Sequence, residues 1–89
     1  MNEGCSSLKK IIIPTNVKRI EKGAFSEGTF EKVIFPEELK YIGDFAFSFC
    51  KNLRRAELPK NLIYIGDYEF QFCEKLEYIY IPESVEYYE

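Results

Sequence analysis

Leu53-Arg54-Arg55-Ala56-Glu57-Leu58-Pro59 has three counterparts in the chain: Leu8-Lys9-Lys10-Ile11-Ile12-Ile13-Pro14, Phe30-Glu31-Lys32-Val33-Ile34-Phe35-Pro36 and Leu76-Glu77-Tyr78-Ile79-Tyr80-Ile81-Pro82. All four read apolar-x-x-apolar-x-apolar-Pro. Their prolines, Pro14, Pro36, Pro59 and Pro82, stand 22, 23 and 23 residues apart. Self-similarity at a fixed period of this size is the signature of a solenoid, in which each repeat buries its apolar side against its neighbours.

Alternation of apolar and polar residues predicts short strands over Lys10–Ile13, Lys32–Phe35, Arg55–Leu58 and Tyr78–Ile81. Proline closes each one, having no N–H to give to a ladder. One coil per repeat makes successive strands parallel, stacked about 4.8 Å apart. Aligning the prolines then gives one template. Aliphatic residues follow at Val17, Leu39, Leu62 and Val85, and again at Ile20, Ile42 and Ile65, with Tyr88 at the last equivalent position. An aromatic comes next at Phe25, Phe47 and Phe70, then Gly28, Cys50 and Cys73.

The inward layers follow from this register. They are Leu8, Ile11, Ile13, Val17, Ile20 and Phe25; then Phe30, Val33, Phe35, Leu39, Ile42 and Phe47. A third layer holds Leu53, Ala56, Leu58, Leu62, Ile65 and Phe70, and Leu76, Ile79, Ile81 and Val85 begin a fourth. Ile42-Gly43-Asp44 and Ile65-Gly66-Asp67 carry turn chemistry, with both aspartates expected to cap their own turns. The return arms Phe45–Cys50 and Tyr68–Cys73 read as a second strand-like piece or as a short helical turn.

The 89 residues make one domain, 1–89, of about 3.5 repeats at approximately 5–28, 29–50, 51–73 and a partial 74–89. A composition 46% hydrophobic and 30% charged is that of an ordered chain. A net charge of −3 argues against a nucleic-acid partner. The longest apolar run, Ile11 to Ile13, is far too short to insert in a membrane. Met1-Asn2-Glu3-Gly4-Cys5 lacks the features of a signal peptide. A cytoplasmic chain and a piece of a longer secreted protein both remain open.

Three cysteines are an odd count, against a closed disulfide framework. Cys5, Cys50 and Cys73 each stand three residues before the residue opening the next repeated stretch, which predicts a ladder of small buried thiols. The absence of histidine disfavours a metal centre and leaves no imidazole to activate a thiol. Gly43 and Gly66 are single turn glycines rather than a phosphate loop. No catalytic, cofactor-binding or metal-binding residue is assigned.

From Leu53 to Leu76 the run Leu-x-x-Ala-x-Leu-Pro-x-x-Leu-x-x-Ile-Gly-Asp-x-x-Phe-x-x-Cys-x-x-Leu resembles the BspA-like leucine-rich repeat, and Ala24-Phe25 and Ala46-Phe47 match its return arm. The resemblance implies a right-handed leucine-rich-repeat coil with a short parallel β-sheet on one face, mainly β and loop. It also implies a non-enzymatic protein-interaction module, extracellular or on a cell surface, acting in adhesion or recognition. The chain departs from the pattern at Glu69 in place of alanine, at Glu21-Lys22-Gly23 in place of Gly-Asp-aromatic, and at Tyr88 in place of isoleucine.

Outward strand residues are free to vary, so they are the candidate protein-binding face: Lys10, Ile12, Lys32, Ile34, Arg55, Glu57, Tyr78 and Tyr80. Tyrosine and arginine are enriched at interface hot spots. Ordinary β-propensity accounts for the same residues. Phe45, Phe49, Tyr68 and Phe72 form a second aromatic set, either exposed as a stripe or packed over the turn between repeats. Open strand edges invite self-association, head-to-tail or as a symmetric dimer. Residues 1–20 carry +3 and residues 74–89 carry −4, so opposite ends should attract. A structural spacer or self-associating scaffold without a specific ligand is the alternative reading.

Overall fold

Strands form where the sequence alternates, and a second set forms where it does not. In the computed structural model, whose description covers residues 9–85, the strands are β1 Lys10–Ile12, β2 Arg19–Ile20, β3 Lys32–Ile34, β4 Tyr41–Ile42, β5 Arg55–Glu57, β6 Tyr64–Ile65 and β7 Tyr78–Tyr80. They build a four-stranded parallel sheet in the order β1-β3-β5-β7 and a three-stranded parallel sheet in the order β2-β4-β6. The chain is a parallel β-solenoid of about three turns. The described residues contain no helix.

Each strand of the larger sheet is one residue shorter than the alternation predicts. Backbone bonding nevertheless runs on: Ile13 donates to the Ile34 carbonyl at 3.0 Å and Leu58 to that of Tyr80 at 3.2 Å. Proline then stops the ladder. The smaller sheet was not foreseen. It pairs Arg19 with Tyr41 and Tyr41 with Tyr64, and Ile20 with Ile42 and Ile42 with Ile65, so the second aliphatic position also lies on a ladder.

The return arm resolves as neither of its two expected forms. Residues 22–27, 44–49 and 67–72 are hydrogen-bonded turns in which amides alternate between two uses. In the first arm, Gly23, Phe25 and Glu27 donate to the Asp44, Ala46 and Ser48 carbonyls of the next coil, at 2.9 Å each. Between them, Ala24, Ser26 and Gly28 close turns onto Glu21, Gly23 and Phe25. Two positions per arm take left-handed backbone: Gly23 and Glu27, Phe45 and Phe49, Tyr68 and Phe72. Only the first of these six is the residue that adopts such φ without steric cost.

The predicted inward set fills the centre. Leu39, Ile42, Phe47, Leu53, Ala56 and Leu62 are wholly buried, and Ile13, Ile20, Val33, Leu58 and Ile65 nearly so. Phe25, Phe47 and Phe70 stack at 5.3 and 5.9 Å between ring centroids, while Phe30 and Phe35 meet the Phe47 ring edge-on. Offset and edge-to-face rings of this kind add to what burial alone supplies. The fourth layer differs. Leu76 and Val85 are half-buried, while Ile79 and Ile81 are exposed, because no described layer lies beyond them. Leu8, Cys5 and Tyr88 lie outside the described residues.

Gly43 and Gly66 turn out to serve contact between coils rather than turn conformation. A Cβ on Gly43 would sit 2.7 Å from the backbone nitrogen of Lys22, and one on Gly66 2.6 Å from that of Asp44. Glu21 occupies the equivalent position in the first repeat, where no described coil precedes it.

Candidate protein-binding face

Parallel pairing in register turns the outward strand residues into columns. Lys10 lies against Lys32, Lys32 against Arg55 and Arg55 against Tyr78; beside them Ile12 lies against Ile34 and Glu57 against Tyr80. Seven of the eight predicted site residues are exposed, and Lys32 is half-exposed. Ile12 is the most open apolar side chain of the set, at 63% exposure. The Arg55 guanidinium lies 4.7 Å from the centre of the Tyr78 ring, a cation–π contact, and its Nη2 is 3.8 Å from Glu57 Oε2. A cleft of about 140 Å³ opens between Lys32 and Ile34 of β3 and Arg55 and Glu57 of β5, with Phe35 at one end. A broader hollow of about 510 Å³ adjoins it, where Phe35, Glu57, Pro59, Tyr78 and Tyr80 meet.

Two further surfaces carry chemistry. The arm aromatics are exposed: Phe45 stacks on Tyr68 at 5.4 Å and Phe49 on Phe72 at 4.8 Å. Stacking buries their ring faces against each other and leaves their edges toward solvent. On the smaller sheet the Arg19 guanidinium sits 4.0 Å over the Tyr41 ring, and Tyr41 stacks on Tyr64 at 4.7 Å. Sequence reasoning missed this column, although the residue before Ile20, Ile42 and Ile65 recurs with the repeat and is large in every copy.

The expected thiol ladder is present for its two described members. Cys50 Sγ–H donates to the Phe25 carbonyl at 3.2 Å and Cys73 Sγ–H to that of Phe47 at 3.1 Å. Both are free; Cys50 is buried and Cys73 half-buried. Contact with the Cys73 thiol, then burial, pushes the Cys50 thiol up. The same contact draws Cys73 down.

Asp44 caps no turn of its own: its Oδ1 accepts the backbone N–H of Asp67 at 2.9 Å, across one repeat. Glu69, at the alanine position of the template, is 5% exposed, and neither carboxylate oxygen has a hydrogen-bond partner. Burial, with a smaller push from Asp44, raises its carboxyl to about 8; the nearby amides of Ala46, Gly66 and Phe47 work the other way. Surface ion pairs join Lys18 to Glu38 at 3.0 Å, Arg19 to Glu21 at 3.2 Å and Arg54 to Glu77 at 2.7 Å. Each is solvent-exposed and adds little to stability.

Among the described residues, no group of three or more histidine, cysteine or acidic side chains is placed to hold a metal ion. No helix among them is long and apolar enough to cross a membrane. The outer strands β1 and β7 each pair on one side only within the described sheet.

Comparison with curated proteins and with solved structures finds no match for this chain. The model of the BspA type leucine-rich repeat region matches residues 2–89 in 6 copies, consistent with the parallel coil and its proline-closed strands. The chain therefore belongs to the BspA-type leucine-rich repeat family.

Proposed function

We propose that this chain is a protein-interaction module that binds a protein partner through the outer face of the four-stranded sheet. The observation that carries the reading is the composition of that face. Ile12, Ile34, Tyr78 and Tyr80 are all exposed there, beside Lys10, Lys32 and Arg55. Aromatic and arginine anchors next to apolar side chains are what interface centres use. Leucine-rich repeat modules act typically by binding, and the reading includes no catalysis and no cofactor. Recognition or adhesion at a cell surface is the setting that the family favours.

The test is a triple variant, Arg55→Ala, Tyr78→Ala and Tyr80→Ala. A binder loses its partner and keeps its melting temperature. A spacer loses nothing, and that result would remove this surface from consideration. A second reading is self-association through the edges of β1 and β7, supported by the exposed Ile79 and Ile81 at the far end of the coil. Light scattering at high concentration and low salt tests it, with a strict monomer as the contrary result.

A further inference from the structure

The outer face carries two neighbouring columns of charge with opposite arrangements. Lys9, Glu31, Arg54 and Glu77 precede the strands, and their backbones bond in sequence: Glu31 to Lys9, Arg54 to Glu31 and Glu77 to Arg54. Sign alternates down that column, which lets Arg54 pair with Glu77. One residue further on, Lys10, Lys32 and Arg55 stand directly opposite one another with no acid among them. Like charges opposed in a sheet are destabilising. The rungs are only about 4.8 Å apart.

The exposed cations at positions 18, 19 and 54 each hold a carboxylate within 3.2 Å. Lys10 and Lys32 have no ion pair among the described residues, and Arg55 reaches Glu57 only at 3.8 Å. The cleft of about 140 Å³ is lined by Lys32 and Arg55 together with Ile34 and Glu57. Ile12 and Ile34 run parallel to the cations, about 6.7 Å away along each strand.

From this juxtaposition we infer that the face takes an extended acidic polypeptide segment, lying along the columns, whose carboxylates meet Lys10, Lys32 and Arg55 while alternate apolar side chains cover Ile12 and Ile34. The inference rests on the binding-face reading above and names the chemistry of its partner. A segment with acidic and apolar residues alternating presents the two kinds of side chain to opposite sides, matching the two columns. A sulfated polysaccharide or a nucleic acid would neutralise the cations but leave the isoleucines uncovered. Three cations on a chain of net charge −3 also make a weak site for a long polyanion.

The experiment is selection from a random-peptide display library on the full chain, followed by anisotropy titration of the enriched peptides. Expected are peptides with acidic and apolar residues alternating. Lys32→Glu should weaken them at least tenfold without lowering the melting temperature, since it relieves the repulsion from Lys10 and Arg55. Ile12→Ser should weaken them by about fivefold with the melting temperature unchanged. Raising salt from 50 to 500 mM should also weaken them severalfold. Enriched peptides that lack acidic residues yet are lost on Tyr78→Ala would overturn the acidic partner and leave the binding face standing. Peptides indifferent to all three substitutions and to salt would overturn both. Heparin binding that is lost on Lys32→Glu, with no acidic peptide enriched, would overturn the polypeptide partner in favour of a sulfated one.

Discussion

Asp44 and Asp67 stand one repeat apart, and the carboxylate of the first accepts the backbone N–H of the second at 2.9 Å. The close approach this bond requires is what Gly66 provides. A Cβ there would lie 2.6 Å from the Asp44 nitrogen and 2.8 Å from the Gly43 carbonyl carbon, both backbone atoms that cannot swing aside. Gly66→Ala is therefore expected to force the second and third coils apart, at a cost of about 1–3 kcal/mol. Urea unfolding measures it. A variant as stable as the parent would mean that the coils do not approach this closely.

Burial grades the cost of shortening apolar side chains along the coil. Ile42 and Leu58 are 0% and 3% exposed, so Ile42→Ala and Leu58→Ala should each cost about 2–5 kcal/mol. Ile81, at 38% exposure, repeats the register position of Leu58 in the last layer. Ile81→Ala should cost less than half as much. Thermal scans of the three variants test the register and the openness of the last layer together.

Much of this was legible in the sequence, for a physical reason. Proline spacing and period-2 alternation are consequences of backbone bonding repeated identically in every coil, so four copies confirm one another. Leu53, Ala56 and Leu58 could be sorted from Arg55 and Glu57 on that basis alone. The smaller sheet was missed because Tyr41-Ile42 is too short a run to show a period. The exposure of Phe49 and Phe72 was also undecided from sequence, since it depends on a left-handed φ of 61° and 62° that aromatic residues seldom adopt. Glu69 registered only as a departure from the template; its burial comes from the coil stacked against it.

Glu69 should make stability depend on pH. Its carboxyl is raised from an ordinary value of 4.5 to about 8, so the folded chain keeps a proton that the unfolded chain releases. The stability linked to that proton is full below pH 4.5, declines as the pH rises toward 8 and then levels out. Glu69→Ala restores the residue found at positions 24 and 46. It removes a buried group without partners, which is worth on the order of 1–3 kcal/mol. The melting temperature should rise, more at pH 8 than at pH 5. A decrease at both values would show that the carboxyl is held by bonds of its own.

The two stacked thiols should differ in reactivity. Thiolate is the reactive form, and Cys73 is half-exposed with its thiol drawn down, whereas Cys50 is buried with its thiol pushed up. Iodoacetamide at pH 8, followed by peptide mass spectrometry, is expected to label Cys73 in the native chain and Cys50 only after unfolding. Equal labelling of both would contradict the ladder.

The amides at 23, 25 and 27, like those of both sheets, all bond along the axis of the coil. A force applied to the two ends of the chain would therefore meet these bonds one rung at a time, as a zipper is opened, and never all together in shear. Each coil that gives way would release 22 or 23 residues, about 75 Å of slack when extended. As a tether the chain would lengthen in repeat-sized steps under low tension, and a partner on the four-stranded face would clamp the rungs it spans.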